Sequence, residues 1–316
     1  MARPEKIVSL LPSATEIVCA LGLADKLAGV THECDYPPGI DQRPHLTASK
    51  LIRESMTSIE IDHAVRTSLD GHGSIYDLDV ELLDRIRPDL ILTQELCEVC
   101  AVSYSEVRDA ARLCAADATV VSLEPNTIEE IFANIMTVGG LTGTKEEAAV
   151  LVSRLRERIS SVRNRSATAV KRPGVMMLEW LEPPFAPGHW VPEQVEAAGG
   201  KCVLGVAGKK SETTTYKEVA ESNADVMVLI PCGYSTEAIL AQLGNSVFPQ
   251  DIEALPAVRN DEVWALDASA YFSRPGPRVV DGLEILAKII HPEIFGEPES
   301  REAVRVPAGS LRTRSS

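Results

Sequence analysis

Short apolar runs alternate with amphipathic segments along most of this chain. In the first half, runs rich in Val, Ile and Leu at 6–11, 27–31, 90–93 and 118–122 predict strands. Segments with apolar residues three and four apart predict helices over 14–21, 80–86, 103–114 and 128–139. The alternation resumes after residue 170, with strands over 175–179, 226–230 and 263–266 and helices over 192–198 and 278–290. Strands separated by crossover helices imply parallel sheets covered on both faces.

Between these halves, residues 144–165 carry Ala148, Leu151, Val152, Leu155 and Ile159 as an apolar stripe among Lys, Glu and Arg. At ~1.5 Å per residue such a helix is roughly 30 Å long. The fold class expected is therefore α/β: two α/β lobes with parallel sheets joined by a single long backbone helix. The lobes would span 1–143 and 167–292, with the helix at 144–166. Two stretches fall outside this plan. Residues 41–77 are polar and predict a long irregular surface excursion. Residues 293–316, with Arg301, Arg305, Arg312 and Arg314 among Ser and Ala, predict a disordered tail.

Composition narrows the function classes. The chain has 316 residues and a formal net charge of −15, which repels nucleic acid and anionic lipid. No run of eighteen apolar residues occurs, and the first apolar run, 7–23, is broken by Pro12, Thr15 and Glu16 with no basic segment before it. This predicts a cytoplasmic protein, or an extracytoplasmic one if a longer precursor exists. Seven cysteines, an odd number, fit reduced thiols better than a disulfide framework.

In open parallel sheets ligands bind beyond the carboxyl ends of the strands. The residues that follow the predicted strands include His32, Glu33, Cys34, Asp35 and Tyr36, then Gln94, Cys97 and Cys100. In the second half they include Trp180, His189, Trp190, Cys232 and Tyr234. Cys97 and Cys100 form a C-x-x-C pair, and a closed metal site would need two more ligands from Cys34, Cys232, His32 or His189. The bland alternative for each cysteine is a small side chain packed in the core. Ser13 followed three residues later by Glu16 matches a helix capping box, and Ser13 and Thr15 also sit where amides at a helix start would meet a ligand. There is no G-x-G-x-x-G, phosphate-loop or G-x-S-x-G signature, so nucleotide and esterase readings lose their support.

With these residues in hand, the chain resembles the substrate-binding proteins of cobalamin and iron-chelate ABC transporters, above all the cobalamin-binding members. The matching pieces are LLPSATE at 10–16, DYPP at 35–38, RPDLIL at 87–92, EPPF at 182–185 and YFSRPGPR at 271–278. The resemblance implies two lobes joined by a backbone helix, with a corrinoid held between them by aromatic rings and a few polar groups. It implies ligand contacts at Trp190, Tyr271, Phe272 and Arg274, and transporter docking through one carboxylate per lobe, Glu81 and Glu196. Two positions depart from the family pattern: Glu33 stands where an aromatic is usual, and Gln94 where a tryptophan is usual.

Two readings follow. The first is a non-enzymatic protein that binds a corrinoid such as cobalamin, serving an ABC transporter permease or acting as a cytosolic relative, with haem and siderophores as neighbouring ligand classes. The second is a metalloprotein or redox enzyme whose Cys34, Cys97, Cys100, Cys232 and His32 hold zinc or an iron–sulfur cluster.

Overall fold

The computed structural model of the chain describes residues 3–50, 56, 58–70, 76–94, 110, 118–244, 248–311 and 313–314. They form two compact units, one of Met1–Pro125 with Glu129–Arg154 and one of Asn126–Ile128 with Leu155–Ser316. The long helix Lys145–Ser166 contributes its first half to one unit and its second half to the other. Its stripe of Ala148, Val152, Leu155, Ile159 and Val162 is buried, as the spacing of those residues on one helical face requires.

The first unit is built on a four-stranded parallel sheet in the order Leu27–Gly29, Ile7–Ser9, Leu90–Thr93, Thr119–Ser122. Every residue of Ile7–Ser9 and Leu90–Thr93 is buried, which is why both read as unbroken apolar runs without alternation. Val8, Leu10 and Ile91 pack there with Leu46, Tyr76 and Leu83.

Leu46 and Tyr76 come from the stretch expected to be irregular. That expectation is corrected: the segment contains an antiparallel pair, Thr47–Ser49 with Tyr76–Leu78, and a helix, Ser58–Asp70. The polar composition concealed a few well-placed apolar anchors. The helix expected over 103–114 lies outside the described residues, apart from Ala110.

The second unit holds a five-stranded sheet in the order Lys201–Cys202, Gly174–Leu178, Val226–Leu229, Val263–Ala265, Val304–Arg305. The first four strands are parallel, and the last runs antiparallel to Val263–Ala265. This edge strand corrects the reading of residues 293–316 as a disordered tail. Val306 is 1% exposed and its amide donates to the carbonyl of Val263 at 2.7 Å. Arg305 lies over the Trp264 ring, 4.3 Å from its centroid, and pairs with Glu262. Arg305, one of the arginines that made the segment look solvated, anchors it there.

Candidate functional site

Three neighbouring parallel strands of the second unit deliver three segments to one end of the sheet. Glu179 follows Gly174–Leu178, Cys232 and Tyr234 follow Val226–Leu229, and the segment leading to Tyr271 and Phe272 follows Val263–Ala265. Cross-links within this end are explicit. The Cys232 amide donates to the Glu179 carbonyl at 3.0 Å, and the Ala268 amide to the Tyr234 carbonyl at 3.0 Å. The Trp180 and Tyr234 rings meet edge to face at 5.7 Å.

Glu179 is the electrostatic centre of this cluster. Gly188 N donates to its Oε1 at 3.2 Å, and the Ser211 hydroxyl donates to its Oε2. Burial pushes the carboxyl up to about 7, because desolvation outweighs both hydrogen bonds, with the neighbouring Cys232 thiol acting in the same direction. Nothing in the sequence marked Glu179 beyond its place at a strand end, since its partners lie nine and thirty-two residues away.

The turn that carries His189 is tightly seated. A Cβ on Gly188 would lie 2.3 Å from the Ser211 amide nitrogen, so only glycine fits between the two segments. His189 itself adopts φ +49°, with its amide donating to Lys209 O and its carbonyl accepting from Gly208 N at 2.9 Å. Its half-buried imidazole packs on Trp190, and burial, with Lys210 adding to it, holds its pKa below the usual histidine value.

Trp190 and Phe272, both expected as ligand contacts, are 7% and 3% exposed. The indole Nε1 donates to the Phe272 carbonyl at 3.0 Å. Gln194, wholly buried one turn later, donates to the carbonyls of Tyr271 at 3.1 Å and Val279 at 2.8 Å. Trp190 and Gln194 thus fix the segment from which the half-buried Tyr271 and Arg274 project. Gln194 went unnoticed in the sequence, although a glutamine between Val191 and Val195 on a short apolar helix was a signal.

In the first unit, Thr47 organises the end of the sheet. Its hydroxyl donates to Thr31 Oγ1 at 2.8 Å, while the same oxygen receives the His32 amide at 3.2 Å and lies 2.8 Å from His32 Nδ1. Thr47 thus ties both the main chain and the imidazole of His32 to Thr31 at the end of the sheet. The Tyr76 hydroxyl donates to Glu33 at 3.1 Å, and its ring lies 5.4 Å from that of His32. Tyr36 is 43% exposed, whereas Gln94 is nearly enclosed.

Ser13 and Thr15 are buried. The capping-box reading is corrected: Leu11 is the N-cap of the helix Pro12–Ala20 and no side chain caps it. Pro12, with its preset φ, starts the helix and draws Ser13 inside it. Thr15 donates to Ser9 Oγ at 2.8 Å and lies 3.1 Å from Cys34 Sγ. Neither the Ser13 nor the Thr15 side chain is presented at the surface.

The metal reading fares worse. Cys34 is 2% exposed and engaged with Thr15, and His32 is engaged with Thr47. Cys97 and Cys100 lie outside the described residues. Among the described residues no three His, Cys, Asp or Glu side chains, Cys232 included, come together as a metal site. Neither zinc nor an iron–sulfur cluster has support.

The remaining candidates concern docking. Glu81, on the helix Val80–Ile86, is exposed. Glu196 is exposed too, but it pairs with Arg172 and its Oε1 accepts from the Cys202 amide at 3.1 Å. Glu196 is therefore already engaged within the chain.

Residues 7–270 match the model of a family described as periplasmic binding protein. The chain belongs to that family. Its members are binding proteins, not enzymes. The vitamin B12-binding protein of Vibrio cholerae is 26% identical over 290 residues, covering 90% of this chain and 89% of that one. An ABC transporter substrate-binding lipoprotein of Bacillus subtilis, YvrC, is 25% identical over 301 residues, 93% of this chain and 82% of that one. Among solved structures, a periplasmic heme-binding protein from Pseudomonas aeruginosa superposes with a TM-score of 0.70 at 20% identity, covering 92% of this chain and 94% of that one.

The α/β fold expected from the sequence, with parallel sheets and a long helix, is the fold of this family. The cytoplasmic expectation is overturned by the same findings. The family is periplasmic and the similar proteins include a lipoprotein, so the chain's relatives work outside the cytoplasm.

Proposed function

We propose that this protein captures a corrinoid and passes it to an ABC transporter. The observation that carries the reading is its similarity, across nine-tenths of its length, to a vitamin B12-binding protein. The groups available to a ligand support it. On the second unit Tyr271 offers ring surface and Arg274 a guanidinium suited to a propionamide or phosphate oxygen, with Trp190 and Phe272 holding them from behind. On the first unit Tyr36, Glu33 and the edge of Gln94 supply an aromatic ring and polar groups. Side chains fixed in advance by Thr47, Tyr76, Gln194 and Trp190 need little ordering on binding, which favours affinity for a large rigid ligand.

For delivery, Glu81 is a docking carboxylate ready to receive a basic group, whereas a partner approaching Glu196 must displace or share Arg172. The deciding experiment is a titration of the purified protein with cyanocobalamin, ferric haem and a ferric hydroxamate, read by calorimetry and visible absorbance. Saturable equimolar binding of the corrinoid, with the other two much weaker, is the expected result. Tight binding of haem or hydroxamate without the corrinoid would replace the reading.

A further inference from the structure

The turn at His189 is more elaborate than packing requires. A side chain at φ +49° is strained, and Asn or Gly would form the same turn at lower cost. Both backbone groups of His189 are clamped, by Lys209 O and Gly208 N, so the residue cannot relax out of that conformation. Gly205, at φ +92°, closes the arrangement from the other side, where a Cβ would lie 2.1 Å from Pro187 O. The imidazole so fixed makes no hydrogen bond with any described residue; its contact is the Trp190 ring, 5.7 Å between centroids at 44°. Its environment disfavours the charged form, because burial and Lys210 both oppose protonation. A neutral, half-buried imidazole held rigidly beside the Trp190–Phe272 link is a nitrogen donor awaiting a Lewis acid.

We propose that His189 supplies an axial nitrogen to the cobalt of the bound corrinoid, so that the site favours a corrinoid whose own base is off the metal or absent. The inference rests on the corrinoid reading and specifies the chemical state of the ligand. The step is a ligand exchange. The lone pair of the imidazole nitrogen forms the cobalt–nitrogen bond, the cobalt–water bond breaks, and water leaves. Cobalt keeps its oxidation state and no proton moves, because the imidazole is already neutral. Tyr271 and Arg274 would then meet the ring edge while His189 meets its centre.

The test uses aquacobinamide, which lacks a nucleotide base, beside cyanocobalamin. Bound cobinamide should show a shifted visible spectrum, and after chemical reduction to cobalt(II) its electron paramagnetic resonance should carry nitrogen splitting that changes when the protein is labelled with ¹⁵N-histidine. His189→Gly, which suits the left-handed turn, should lose the splitting and bind cobinamide about tenfold more weakly or worse. Imidazole, added at a concentration too low to ligate free cobinamide, should restore the signature in His189→Gly, which a variant that merely misfolded could not do. Cobinamide bound with an unchanged aqua spectrum, or splitting that survives in His189→Gly without imidazole, overturns the inference and leaves the corrinoid reading standing. If neither corrinoid binds the wild type, the corrinoid reading falls and this inference with it.

Discussion

The indole nitrogen of Trp190 donates to the main-chain carbonyl of Phe272 at 3.0 Å, joining residues eighty-two positions apart. This bond links two aromatic residues, both expected from the sequence as ligand contacts, and braces the segment that carries Tyr271 and Arg274. Trp190→Phe keeps the ring and removes the donor, leaving a buried carbonyl without its partner. Stability should fall by about 1–3 kcal/mol in urea unfolding. Corrinoid affinity should fall as well, since Tyr271 and Arg274 lose their alignment. Unchanged affinity in the folded variant would show that the segment is held by Gln194 alone.

Glu179 makes stability depend on pH. Its carboxyl is raised from 4.5 to about 7 in the folded chain, so folding favours the protonated form. The contribution is fully present below about pH 4.5, declines as pH rises to 7, and is absent above it. Glu179→Gln keeps an acceptor for Gly188 N and cannot ionise. The variant should gain on the wild type through that window by an amount on the order of 1–3 kcal/mol and stay ahead at pH 8. Parallel stability curves between pH 4.5 and 8 would exclude a buried acid at this position.

Arg158, on the long helix, bridges Glu284 at 2.7 and 2.9 Å and Asp281 at 2.5 Å on the helix Val279–Ile290. The two carboxylates hold the guanidinium pKa above its ordinary value, Glu284 contributing most. Arg158→Ala leaves two acids facing each other. Because all three side chains are more than a third exposed, the loss should be modest, about 1 kcal/mol, and should shrink in high salt. A loss that salt does not alter would point to packing of the arginine stem instead.

Truncation before Ser300 removes the strand Val304–Arg305 together with the buried Ala303, Val306 and Leu311. The strand Val263–Ala265 then becomes a bare edge. Loss of Val306 and Leu311 alone should cost on the order of 3 kcal/mol, seen as a lower unfolding midpoint. An unaltered midpoint would mean that the segment adds nothing to the sheet.

The sequence by itself determined the α/β alternation, the long helix with its buried stripe, and the family. Each is written in periodicities of a few residues, or in short motifs whose order survives distant relationship. Strand type and helix face are properties of neighbouring positions, so they are readable without knowing what lies across the fold. The site was legible only in part, for the opposite reason. Tertiary structure paired His32 with Thr47, Glu179 with Ser211, Trp190 with Phe272 and Val306 with Val263. Each pairing depends on which strands become neighbours, a choice made by the whole core. That choice buried two of the expected contact residues, made a polar excursion and a charged tail parts of the fold, and gave an unremarked glutamate the most strongly perturbed carboxyl among the described residues.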